Sequence, residues 1–82
     1  MNNERLLMKG VLSELRKDVQ KYELIAQDEI MVIRSTTNPL THNDIRDMNL
    51  HAAQASLSRL ADAQAKIGEF RAKITKIEKE LE

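Results

Sequence analysis

From Met8 onward, apolar residues recur at the spacing of a helix rather than of a strand. Met8, Leu12, Leu15, Val19, Tyr22, Ala26 and Ile33 keep the three- and four-residue intervals that lay side chains along one seam. Leu7, Val11, Ile25, Ile30 and Val32 widen the stripe. Glu29 stands where the strict heptad asks for an apolar residue, and its neighbour Ile30 is read as taking over, so that the stripe drifts as it does in a straight helix. The pattern predicts a helix from about residue 4 to about residue 35.

The run Ser35-Thr36-Thr37-Asn38-Pro39 ends that pattern. Its hydroxyls compete for backbone bonds, and the proline pushes Asn38 away from the α region. A turn is expected over about residues 36–41, followed by a second helix over about residues 42–81. Thr41 can cap that helix with Asp44 at the third position, while Leu40 and Ile45 have the spacing of a hydrophobic staple. Asn38 as cap with Pro39 at the first helical position is the competing reading. Near the C-terminus, Ile67, Phe70, Ile74, Ile77 and Leu81 form an unbroken heptad seam. Before it lies a softer stretch, Ile45 and Met48 through Leu57 and Leu60 to Ala65, where alanines replace large residues and permit close helix approach.

A link this short joins antiparallel helices. The expected fold is therefore all-α: a single domain, residues 1–82, built as a coiled-coil-like hairpin of two long helices. Pairing the helices outward from the turn sets residue 4 near residue 74, which leaves Ile77 and Leu81 hanging beyond their intrachain partner. Two helices cannot enclose both wide stripes, so a homodimer forming a four-helix bundle is the expected assembly. The expected interface comprises Leu12, Leu15, Val19, Tyr22, Ile30, Ile33, Leu60, Ile67, Phe70, Ile74, Ile77 and Leu81.

Composition supports helix seams over a compact globular core. Hydrophobic residues make up 41% of the 82 positions but aromatics only 2%, namely Tyr22 and Phe70. A chain this short buries little surface alone, and oligomerisation is the usual remedy. There is no cysteine, which excludes disulfides and thiolate chemistry. No signal peptide and no apolar run of membrane-spanning length is read, so the expectation is a cytoplasmic protein without a membrane partner. Thirteen basic residues balance thirteen acidic ones, and the mixture persists along the chain. Pairs such as Asp62 with Lys66, Glu69 with Lys73 and Lys76 with Glu80 describe solvated helix faces. This balance argues against nucleic acid or anionic lipid as a partner.

Candidate chemistry is sparse. His42, Asp47 and His51 lie close enough in sequence to suggest a metal site near the turn, but an Asp-x-x-x-His pair leaves most coordination positions unfilled, and capping and surface bonding explain these residues better. A symmetric dimer could double the ligand count; no metal or other cofactor is expected. Asp28 and Glu29 point about a hundred degrees apart on a helix and read as a solvated face rather than as an acid-base pair. Ser56 and Ser58 have no suitably placed base. Gly10 and Gly68 belong to no phosphate-binding loop and are read as relieving crowding where a neighbouring helix crosses. The run Ile30-Met31-Val32-Ile33 is apolar all round its helix and calls for cover on all sides.

No motif names a family. In architecture alone, the hairpin resembles small helical adaptors, secretion-system cochaperones and phage-encoded accessory proteins. The expected function is that of a non-enzymatic, homo-oligomeric interaction protein, a scaffold, adaptor or small chaperone for another, helical protein. The alternative is a small dimeric nucleic-acid-binding regulator using Arg5, Lys9, Arg16, Lys17 and Lys21.

Overall fold

The computed structural model describes residues 2–41 and 44–82, with the side chains of all of these except Asn2 and Thr41. Two long helices, α1 (Asn2–Thr37) and α2 (Leu50–Leu81), flank a connection that holds two short 3₁₀ turns, Pro39–Thr41 and Ile45–Asp47. The described residues contain no strand, so the fold is all-α, as the periodicity predicts. The helices lie side by side in a rod of 65 × 15 × 14 Å.

Helix α1 runs two residues further than expected, to Thr37, and the hydroxyls of its last turn add second hydrogen bonds to carbonyls one turn back. Ser35 Oγ donates to the Val32 carbonyl at 3.0 Å, Thr36 Oγ1 to the same carbonyl at 2.8 Å, and Thr37 Oγ1 to Ile33 at 2.6 Å. The residues read as terminators thus belong to the helix and bond back into it.

The connection is the larger correction. Helix α2 begins at Leu50, not near residue 42, because the chain passes through three successive side-chain caps. Asn38 Oδ1 accepts from the Leu40 amide at 2.9 Å, Asp44 Oδ1 from the Arg46 amide at 2.9 Å, and Asn49 Oδ1 from the Ala52 amide at 3.0 Å. Asp44 initiates the second 3₁₀ turn rather than a long helix, and Met48 then turns extended at φ −68° and ψ 132°. The cap of α2 is Asn49, not Thr41. No Leu40–Ile45 staple forms: Leu40 is 92% and Ile45 75% exposed.

Starting α2 later shifts the register. Cross-helix contacts join Arg5 to the Leu81 carbonyl at 2.7 Å, Arg16 to Glu78 at 3.8 Å, Glu23 to Arg71 at 2.7 Å and Glu29 to Arg59 at 2.8 Å. The rising numbers on α1 meet falling numbers on α2, which is the antiparallel hairpin. Leu81 thus faces the start of α1, and the expected overhang of Ile77 and Leu81 is absent; both are half-buried.

The core is thin. Among the described residues, Leu12, Leu15 and Val19 of α1 and Ala63 of α2 are the buried apolar ones, and Ser56 is fully buried. Ser56, Ala63, Phe70 and Ile77 stand seven apart, one heptad line on the inner face of α2. Tyr22 and Phe70, the two aromatics, meet across the seam with ring centres 5.7 Å apart. A Cβ built at Gly10 or at Gly68 would meet nothing within 4 Å, so neither glycine relieves crowding inside this chain.

Candidate functional site

The predicted interface residues divide by depth. Leu12, Leu15 and Val19 are buried within the hairpin and hold its own helices together. Tyr22, Ile33, Leu60, Ile67, Phe70, Ile74, Ile77 and Leu81 are half-buried on the same inner seam, while Ile30 is exposed. These residues face the other helix of the same chain first. What they leave uncovered lies on the two flanks of the rod.

On one flank, toward the turn, Ala26 and Ile30 of α1 and Leu57, Leu60, Ala61 and Ile67 of α2 line a shallow groove of about 500 Å³. Gln64 and Arg71 complete it. Arg71 Nη2 donates to Glu23 Oε1 at 2.7 Å, so the charge at this rim already has its partner. On the other flank, toward the termini, Leu6, Leu7, Gly10 and Val11 border a second apolar surface, which continues past Leu15 to Ile77. Lys73, Lys76 and Glu80 border that continuation. Leu40, Ile45 and Leu50 add exposed apolar surface around the connection.

Glu29 and Ser56 are the residues whose roles the sequence obscured. Glu29 does not yield its seam position to Ile30. Its side chain is only 14% exposed and points across the seam to Arg59, which donates from Nε at 2.8 Å. Arg59 Nη2 also donates to Ser56 Oγ at 3.2 Å. The Arg59 hydrogen bond, and after it the nearby Ser56 hydroxyl, hold the Glu29 carboxyl below its ordinary value of 4.5 against the opposing effect of burial. Oε2 of Glu29 is buried without a well-aligned hydrogen bond, an unfavourable placement for a carboxylate oxygen. Glu29 is thus no solvated-face carboxylate. The heptad line Ser56–Ala63–Phe70–Ile77 was the signal that could have placed Ser56 inside.

The turn holds no assembled metal site among the described residues. His42 lies outside them. Asp47 belongs to the second 3₁₀ turn and His51 to α2, with extended Met48 between, so the pair does not share a helix face. Asp44 is bound by Arg46 instead, through Nη2 at 2.7 Å, which lowers the aspartate pKa and raises that of the arginine.

Three of the five basic residues considered for nucleic acid, Arg5, Arg16 and Lys17, have acceptors within the chain, and Lys21 lies over the Tyr22 ring. Arg16 pairs with Glu78, Lys17 with Glu14 at 3.6 Å, and Arg5 bonds a carbonyl. Among the described residues, no helix is long and apolar enough to cross a membrane. Comparison of the chain with family models, with curated proteins and with solved structures finds no match.

Proposed function

We propose that this chain is a non-enzymatic interaction protein of the cytoplasm, a homo-oligomeric helical hairpin that serves as scaffold, adaptor or small chaperone for another helical protein. The observation that carries the reading is the division of uncovered apolar surface between two flanks. Ile30 and Leu57 are uncovered toward the turn, and Leu6, Leu7 and Val11 toward the termini. Contiguous apolar surface bordered by charged residues is the usual mark of a protein–protein contact, and a groove between two helices accepts the apolar face of a third. Two separated surfaces allow one to serve self-association while the other receives a partner. The nucleic-acid alternative gains nothing from Arg5, Arg16 and Lys17, which have acceptors within the chain.

The test is solution mass by light scattering coupled to size exclusion over a wide concentration range, combined with capture of partners on the immobilised protein. A discrete homo-oligomer that also binds a protein through its uncovered flank is the expected result. A monomer at every concentration that captures nothing would overturn the reading.

A further inference from the structure

We propose that a second copy of this chain covers the turn-side groove through an antiparallel two-fold whose axis passes at Gln64; this rests on the homo-oligomeric reading above and specifies its surface. The first argument is area. A folded monomer of 9.4 kDa ordinarily exposes about 5,000 Å². This chain exposes 6594 Å², an excess of about 1,600 Å². The excess belongs to the whole 65 × 15 × 14 Å rod; a contact that removed it from each of two chains would bury about 3,200 Å² in total, within the range of obligate homodimers.

The second argument selects the flank. The terminal-side surface is lined by Glu14, which pairs with Lys17, and further along by Lys73, Lys76 and Glu80, charges that a large symmetric contact would have to desolvate. The turn-side groove has one charged lining residue, Arg71, and that residue is already paired with Glu23.

The third argument is a second seam. Leu57, Ala61, Gln64, Gly68 and Arg71 follow one another at intervals of four, three, four and three along α2, beside the inner seam that packs on α1. Gly68, like Gly10 on the other flank, has open space where a side chain would stand, so its own chain gives no reason for a glycine there. A helix from another chain gives one, because small residues at 61 and 68 let two backbones approach closely. Gln64 is the midpoint of the seam. A two-fold interface sets each residue at its axis against its own copy, and an amide carries both donor and acceptor, so Gln64 pairs with itself. Leu57 then lies along the aliphatic stem of the partner's Arg71.

The chain has no cysteine, so a single introduced one reports the axis directly. Gln64→Cys is expected to give a disulfide-linked dimer under mild oxidation, while Val11→Cys on the opposite flank stays monomeric on a non-reducing gel. Gly68→Glu points into open space within the hairpin, so helicity should persist while the dimer dissociation constant rises at least about tenfold by sedimentation equilibrium. An oligomer that cross-links through Val11→Cys and not Gln64→Cys overturns the two-fold but leaves the homo-oligomeric reading intact. A wild-type chain that is monomeric throughout overturns the two-fold, and only the added absence of any captured partner overturns the interaction reading. A dimer cross-linked at Gln64 that binds no other protein upholds the two-fold and removes the scaffold role.

Discussion

Arg59 reaches across the hairpin to Glu29, Nε to Oε1 at 2.8 Å, and so joins the one carboxylate in the inner seam of α1 to the second helix near the turn. A carboxylate at a seam position is costly to desolvate and is tolerated only when a partner stands opposite. The same guanidinium bonds Ser56, a fully buried hydroxyl. The cluster therefore favours one register: sliding α2 by a turn would strand Glu29 against apolar side chains. Such polar positions in helix seams commonly fix alignment rather than add stability.

This pairing makes stability depend on pH in a definite direction. The Glu29 carboxyl is held below 4.5 in the folded chain, so its stabilising contribution is complete above that value and is lost as pH falls through the lower, folded-state value. Urea midpoints of the wild type should decline between about pH 5 and pH 3. Glu29→Gln should decline less. Asp44, lowered by Arg46, remains in both proteins and leaves a residual acid slope. Parallel decline of the two midpoints would contradict the assignment.

Packing should be uneven along the rod. Leu15 is buried, and Leu15→Ala should cost about 2–5 kcal/mol in chemical denaturation, enough to unfold a hairpin with so thin a core. Leu24 is exposed, and Leu24→Ala should stay within about 0.5 kcal/mol. At Ala63, 2% exposed, the opposite change is harmful: Ala63→Leu should cost about 1–3 kcal/mol by forcing the helices apart. Equal effects at positions 15 and 24 would mean that the buried face is misassigned.

The start of α2 can be located by its cap. Asn49 Oδ1 accepts from the Ala52 amide, and Asn49→Ala should lower stability by about 1 kcal/mol. Thr41→Ala removes no cap of α2 and should cost less than Asn49→Ala. Helicity followed by circular dichroism through urea denaturation distinguishes the two. A larger loss at Thr41 than at Asn49 would restore the earlier start that the Thr41-Asp44 spacing suggests.

The apolar spacing of Met8 through Ile33 and of Ile67 through Leu81 determined by itself that the chain forms two long helices, because a three- and four-residue repeat lays side chains along one face only in a helix. The proline after Asn38 determined that they are separate. Where α2 begins was decided elsewhere. Thr41, Asp44 and Asn49 are all plausible caps by residue type, and only the folded connection selects Asn49, spending the intervening residues on two 3₁₀ turns. That choice moves the register, brings Leu81 back over the start of α1 and removes the overhang that equal pairing from the turn implies. The roles of Glu29 and Ser56 depended on the same choice. A lone carboxylate in a heptad and a lone serine among alanines carry no local signal of partnership. Their meaning comes from Arg59, which antiparallel packing sets within reach of both. The uncovered Ile30–Leu57 groove is likewise a tertiary feature, formed from residues of both helices whose flank position only the register fixes.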